Sequence, residues 1–373
     1  MFVPLVKESP GFKNLKELII DSGICSLCGS CSILCKKIEY GDLPFLKENE
    51  ACITTIEARK CGTDGCCFDN CPMTSFSKKN LESTFLGNES YDPDLGSYKK
   101  ILSARPTNKK ILPKAQNGGV VTSLISYALS DGLKDREYAG AIVTKRNKEW
   151  APIPFFASNS EELLQSTESI YFRLPLSRQI HNLLCKKRNL IFVGTGCQTT
   201  GVRKFQYNFL NKMPTDSYRL FAIGIFCYEN FPYQQFKEVI QDKSGVLIST
   251  IVKMDIKKGQ LVINLKNGKV LQYPMKEFNS LVPESCKLCT NFTAELSDIS
   301  IGSLGSKKGW NTVIIRSEAG LKLIERAEKN DIIETSIEVS IEKIRKTITR
   351  KKLLREEIAE KRRASGLYIP NFD

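Results

Sequence analysis

The chain has 373 residues, 41% of them hydrophobic and 26% charged, a balance that excludes a disordered, collagen-like or coiled-coil protein and a length that suits two or three domains. Lysine and arginine number 55 against 41 acidic residues, a formal charge of +14; this suits a nucleic acid, a membrane face, an acidic protein or a polyanionic cofactor, and chooses none of them. No stretch approaches about 18 consecutive apolar residues, and MFVPLVKESPGF lacks a leader pattern, so the expectation is a cytosolic protein that does not itself span a membrane and meets one only through a partner complex.

Fourteen cysteines in such a chain point to metal rather than disulfides. Cys25, Cys28, Cys31 and Cys35 form C-x2-C-x2-C-x3-C. In such a run three thiolates close on one four-iron cube and the fourth reaches a neighbouring cluster. The two-residue gaps let a tight loop wrap three corners, which a zinc site does not require. Lys36 stands where a proline usually follows. A second run ends at Cys71-Pro72, and the same register asks for cysteines at 61, 64 and 67; position 64 is Asp. Cys61 and Cys67 fit, Cys66 can replace the missing thiolate, and Cys52 is a spare. An oxygen ligand from Asp64 or a three-iron cluster stays open. Cross-ligation assigns Cys25, Cys28, Cys31 and Cys71 to one 4Fe-4S cluster, and Cys35, Cys61, Cys66 and Cys67 to another. Residues 1–80 are thus expected to be a ferredoxin-like domain with two 4Fe-4S clusters.

Residues 81–112, polar and broken by Gly, Pro and Asp, read as a linker or covering loop. From 113 to 317 helical and apolar stretches alternate. A helix is expected from Gly119 to Ser130, and strands at 139–145, 190–196, 218–227, 248–256, 260–265, 269–274, 297–303 and 312–317. The fold class expected is α/β or α+β with a mixed sheet. Asn117-Gly118-Gly119 opens the first helix with Thr122 in its first turn, so exposed amides there could cradle a phosphate or a flavin edge, or form only an ordinary turn. Cys197 and Cys227 each follow a strand, at the edge where α/β proteins hold ligands. With Cys286-x2-Cys289 they would complete a further four-thiolate site. Cys185 reads as helix core, and His181, the single histidine, supports no catalytic triad.

Residues 318–373 read as a basic helical extension; in 342–363 ten Lys/Arg stand against four Glu. That stretch is either a solvated helix or a dock for an acidic partner subunit, through a salt-sensitive contact. Without interleaved aromatics it gives no reason to expect nucleic acid as a partner.

NGGVVTSLISYALSDGL at 117–133, GTGCQTTGVRK at 194–204, IGIFCYENFPY at 223–233, VKMDIKKGQ at 252–260 and CKLCTNFTAELSDISIGSLGSKKGWNTVIIR at 286–316 together resemble the β-subunit family of coenzyme F420-reducing hydrogenase. That family includes formate dehydrogenase β subunits and the input subunits of F420H2-oxidising respiratory complexes. The resemblance runs in order over 113–373, and the segment KRRASGLYIPNF is also similar; the ferredoxin-like segment occurs in only part of the family.

The resemblance implies an FAD beside a 4Fe-4S cluster on Cys197, Cys227, Cys286 and Cys289, and hydride exchange with coenzyme F420 as substrate. It places Gly118, Gly119 and Thr122 in the flavin pocket, and Tyr171, Asn230, Lys253, Ser303 and Gly305 in motifs that line the flavin or the deazaflavin. Lys253 also fits a plain solvated strand. Two departures stand out: Glu168-Ser169-Ile170-Tyr171 replaces the family's G-[ST]-K-Y, with Arg173 a candidate substitute for the lost lysine, and Gly196 replaces the proline of GTPCQ. The implied protein is an F420-dependent oxidoreductase with FAD and three 4Fe-4S clusters. Its partner would be a redox subunit of a hydrogenase, a formate dehydrogenase or a membrane F420H2 dehydrogenase complex, or a ferredoxin. Two other readings share these residues: an electron-transfer and docking subunit that no longer uses F420, and a ferredoxin-dependent flavin reductase for another substrate.

Overall fold

The computed structural model describes residues 11–47, 66–87, 91–108, 118–130, 138–184, 189–209 and 219–372. Cys52, Cys61, Asp64, Asn117 and Cys185 lie outside them. In chain order the strands are β1 (Ile38–Tyr40), β2 (Pro44–Leu46), β3 (Tyr91–Asp92), β4 (Gly96–Ser97), β5 (Lys100–Pro106), β6 (Gly140–Arg146), β7 (Pro152–Ala157), β8 (Asn189–Thr195), β9 (Arg219–Ile225), β10 (Ile251–Lys257), β11 (Gln260–Leu265), β12 (Val270–Pro274), β13 (Ile299–Gly302), β14 (Asn311–Ile315) and β15 (Ile333–Ser336). Eight of them form one mixed sheet in the order β15-β5-β14-β13-β9-β8-β6-β7. Its centre, β13-β9-β8-β6, is parallel, and the flanking pairs are antiparallel. The fold is the expected mixed α/β class.

The central strands read as unbroken apolar runs because both faces are covered, as parallel sheets require. Alternate residues take opposite sides. Ile191, Phe221 and Ile223 face the helices Val120–Ala128 and Glu318–Lys329. Leu190, Phe192 and Leu220 face Val202 and Phe205 of the helix Gly196–Asn208. A separate antiparallel sheet, β10-β11-β12, packs around Phe172, Phe231, Phe236 and Phe278. The N-terminal segment buries Phe12, Leu15 and Ile19 together with Leu288 and Ala359, so its core is shared with the last helix, Ile341–Ala364.

Two expectations need correction. Within the supposed linker 81–112, β5 lies in the main sheet between β14 and β15; its polar residues hid it, since Ser103 is buried with its hydroxyl on the Glu338 carbonyl at 2.5 Å. The supposedly helical extension 318–373 contributes β15 to the sheet edge.

The basic helix is not free: half of its cations are turned into the fold. Arg345 binds Asp92 and Asp94, Lys352 binds Asp94 at 2.8 Å, and Arg362 binds Glu284 and the Ser22 carbonyl. Lys351 and Arg355 donate to the carbonyls of Cys286 and Leu288. On the outer side Lys343, Lys346, Arg350, Lys361 and Arg363 stand beside exposed Glu342, Glu356, Glu357 and Glu360, a surplus of one. The positive charge of this stretch is largely spent inward, where it satisfies carbonyls and carboxylates that would otherwise be desolvated. A deletion from Glu342 onward would therefore remove part of the core rather than a docking arm.

Candidate functional site

β6, β8, β9 and β13 run parallel, so their C-terminal ends open on one edge, the ligand-binding edge of such sheets. Cys197 follows β8 as the second residue of Gly196–Asn208, a helix whose start is fixed by a capping box between Thr195 and Gln198. Cys227 follows β9, its amide on the Phe292 carbonyl at 2.9 Å. Cys286 and Cys289 come from the short helix Glu284–Leu288 and its end, and the Cys286 thiol donates to the Asn230 carbonyl at 3.8 Å. Burial raises the thiols of Cys197, Cys227 and Cys286, and the other sulfurs of the group raise them further. Four cysteines from three distant segments thus face one another.

Cys25, Cys28, Cys31 and Cys71 form a second quartet and line one cavity of about 320 Å³ with Leu15, Ile19 and Ile20. Burial pushes the Cys25 thiol up to about 11, with Cys28 adding to it. Burial likewise raises Cys31, partly opposed by its 3.2 Å hydrogen bond with the Tyr40 hydroxyl, and Cys71. The turn of this loop needs glycine at 29, whose φ is +90° and whose Cβ would stand 2.7 Å from the Pro175 carbonyl carbon. Of the remaining predicted ligands, Cys35 and Cys66 are half-buried, Cys67 is buried in the N-terminal core, and Cys61 lies outside the described residues.

Among the described residues no three His, Cys, Asp or Glu side chains converge tightly enough to hold a single metal ion. Thiolates that serve separate corners of a four-iron cube stand further apart than the ligands of one ion.

The two quartets adjoin: after burial, Cys28 is the strongest influence raising the Cys197 thiol. One helix face joins them. Cys197, Gly201 and Lys204 recur at spacings of four and three, which stacks them on one side. A Cβ on Gly201 would sit 2.0 Å from the Ser30 hydroxyl, and the Lys204 ammonium donates to the Cys71 carbonyl at 2.7 Å and the Thr74 hydroxyl at 2.6 Å. Burial pushes Lys204 down to about 8. Arg173 donates to the Cys25 carbonyl at 2.9 Å, and the Ser285 hydroxyl reaches the same oxygen at 3.3 Å. Arg173 is thus turned toward the N-terminal quartet. Its Nε is buried with no hydrogen-bond partner among the described residues, the kind of orphan donor that an anionic group between the quartets would satisfy.

Of the flavin candidates, Gly118 and Gly119 lie at Asn311, which also reaches Gly302 beside Ser303, while Gly305 stands against Thr312 and Ile344. The Asn311 amide oxygen accepts from the Val120 amide at 3.3 Å, and its nitrogen donates to the Gly302 carbonyl at 3.3 Å. Gly118 has no room for a side chain, because a Cβ would meet the Asn311 oxygen at 2.3 Å. Gly119 caps the Val120–Ala128 helix at φ 75°, and Thr122 is buried in its first turn. Asn230 and Tyr171 lie together on another segment, where the Phe231 amide donates to the Tyr171 carbonyl at 2.8 Å. Lys253 belongs to the small sheet, half-buried and paired with Asn264. Glu168 is held by Arg146, and the missing side chain of Gly196 makes room for the Asn291 carbonyl, 2.5 Å from where a Cβ would be. A second cavity of about 490 Å³ lies beside Cys197 and Cys289, lined also by Met73, Lys78, Glu295 and Phe372; none of the flavin candidates lines it. Asn311, Lys204 and Lys351 escaped the sequence reading, although Asn311 stands within the long 286–316 block.

A mixed α/β sheet with Cys197 and Cys227 after its parallel strands and a second cysteine quartet beside them defines a class of folds rather than one protein. Residues 101–181 match the family model for the N-terminal part of the coenzyme F420 hydrogenase/dehydrogenase beta subunit, and residues 187–340 match the model for its C-terminal part. The chain belongs to the coenzyme F420 hydrogenase/dehydrogenase beta-subunit family. It is 35% identical to the coenzyme F420 hydrogenase subunit beta of Methanothermobacter thermautotrophicus, over 74% of this chain and 99% of that one. Its identity to the coenzyme F420-dependent sulfite reductase of Methanocaldococcus jannaschii is 32%, over 94% of this chain and 52% of that protein. A chain of the F420-reducing NiFe hydrogenase complex from Methanosarcina barkeri superposes with a TM-score of 0.67 at 31% identity, over 73% of this chain and 95% of that chain. Among the described residues no helix is long and apolar enough to cross a membrane.

Proposed function

We propose that the chain is a coenzyme F420-linked oxidoreductase subunit that passes electrons between F420 and a partner through FAD and three 4Fe-4S clusters. F420 exchanges electrons as a hydride and clusters take them singly, and a bound flavin supplies the chemistry that joins the two. Cys197, Cys227, Cys286 and Cys289 would hold the cluster nearest the flavin, Cys25, Cys28, Cys31 and Cys71 the next, and Cys35, Cys61, Cys66 and Cys67 the last. Gly118, Gly119, Thr122, Tyr171, Asn230, Lys253, Ser303 and Gly305 would line the flavin and deazaflavin. The observation that supports this reading is that the quartets adjoin: Gly201, one turn after Cys197, packs against Ser30 between Cys28 and Cys31, and the Cys28 sulfur raises the Cys197 thiol. Partner candidates are a hydrogenase, a formate dehydrogenase, a membrane F420H2 dehydrogenase complex and ferredoxin.

Anaerobic visible spectroscopy tests the reading: protein carrying flavin and about twelve irons is expected to bleach in both flavin and cluster bands on addition of F420H2, with dithionite as endpoint. Bleaching by dithionite alone would replace it with the docking-subunit reading, which the Arg146–Glu168 pair favours, since it neutralises the segment where the family carries a lysine. Cys227→Ser is expected to remove the core cluster, lowering iron by about four per chain while the N-terminal cluster signal persists; unchanged iron would take Cys227 out of the ligand set.

A further inference from the structure

Burying a cation with no anion paired to it is strongly unfavourable, yet two lysines are buried, and an arginine half-buried, around the two quartets. Lys351, 2% exposed, donates to the carbonyls of Tyr228 and Cys286 at 2.5 and 3.2 Å. Lys204, 6% exposed, donates to the Cys71 carbonyl and to Thr74. Neither lysine forms an ion pair among the described residues. The adjacent Arg203 does, with Asp298 at 2.7 Å, whereas the carboxylates that act on the two lysines, Asp69 on Lys204 and Glu229 on Lys351, are not ion-paired to them. Arg173 holds the Cys25 carbonyl and leaves its Nε without a partner. The placement is specific: Lys204 grips a cysteine of the N-terminal quartet, Lys351 one of the core quartet, and Arg173 stands where it acts on both Cys25 and Cys286.

Four thiolates outweigh the positive charge of a four-iron core, so an occupied quartet is an anion, and it becomes more anionic on reduction. Resting on the cluster reading of the two quartets, we propose that Lys204, Arg173 and Lys351 are the counter-cations of the relay, with Lys204 setting the potential of the N-terminal cluster and Lys351 that of the core cluster. A fixed positive charge stabilises the reduced state and raises the reduction potential. The carbonyl hydrogen bonds hold each ammonium at its post, and burial keeps water from screening it.

The test is an EPR-monitored redox titration of the reconstituted full chain, with the two signals assigned by Cys227→Ser. Lys351→Met is expected to make reduction of the core cluster about tenfold less favourable, a fall of about 59 mV for one electron, and to leave the N-terminal cluster unmoved. Lys204→Met is expected to do the reverse, and Lys351→Arg to keep the parent value. If both Met variants keep their iron and both potentials stay, the lysines only pin carbonyls and the proposal is overturned. If Lys351→Met fails to retain iron, retention by Lys351→Arg with loss in Lys351→Gln supports the charge role, and equal loss in both overturns it. Absence of iron and acid-labile sulfide from the parent chain would defeat the cluster reading itself, and is measured before any variant is made.

Discussion

Asp298→Ala is expected to lower the unfolding free energy by about 3–5 kcal/mol, the typical penalty for breaking a buried ion pair from one side. The Asp298 carboxylate accepts from Arg203 at 2.7 Å, from the Ala222 amide at 2.7 Å and from the Ser317 hydroxyl at 2.7 Å. It thereby ties the Gly196–Asn208 helix to the middle of β9 and to the loop before the Glu318–Lys329 helix. Its removal leaves a buried guanidinium and a buried amide without their acceptor. Asp298→Asn keeps one oxygen and should lose less than Asp298→Ala. Denaturant unfolding of the full chain measures both, and a loss under about 1 kcal/mol for Asp298→Ala would mean that the neighbours relax to repair the gap.

Gly201→Ala is expected to act at the contact between the quartets. Its methyl would lie 2.0 Å from the Ser30 hydroxyl and 2.6 Å from the Ser30 Cβ, and Ser30 is fully buried between Cys28 and Cys31. The loop cannot yield without moving two cysteines, so the overpacking should destabilise by about 1–3 kcal/mol and, if the quartets hold clusters as proposed, weaken magnetic coupling between them. Ser30→Gly removes the obstructing atoms, and the double variant is expected to recover both stability and coupling. A Gly201→Ala chain that melts and couples as the parent does would show that the helix and the loop are not in register through this contact.

The parallel centre of the sheet was legible because strands covered on both faces become continuous apolar runs, as in LIFV of β8 and LFAI of β9. The cysteine runs were legible as spacing, since ligands on one loop must follow its local geometry. β5 was not, because a strand that carries Lys100, Ser103 and Arg105 looks like a loop until the partners of Ser103 are known. Nor were the roles of the basic residues. Lys351 meets Tyr228 and Cys286 across 123 and 65 residues of chain, and composition records a charge without recording what it faces. Asn311 was hidden for the same reason, meeting the Val120 amide across 191 residues, and Arg173, named in the sequence only as a stand-in for a lost lysine, holds the Cys25 carbonyl across 148.

The last helix has a consequence for how the molecule comes to be built. Arg362 reaches the Ser22 carbonyl across 340 residues, and Tyr368 holds Ser75 across 293, while Lys351 and Arg355 hold the loops that carry Cys227, Cys286 and Cys289. In a chain made from its N terminus, every cysteine of both quartets is in place before this helix exists. Contacts of such separation form late. Both quartets would therefore stay open on one side until this helix docks, and if they hold clusters as proposed, iron and sulfide would enter before that last contact forms.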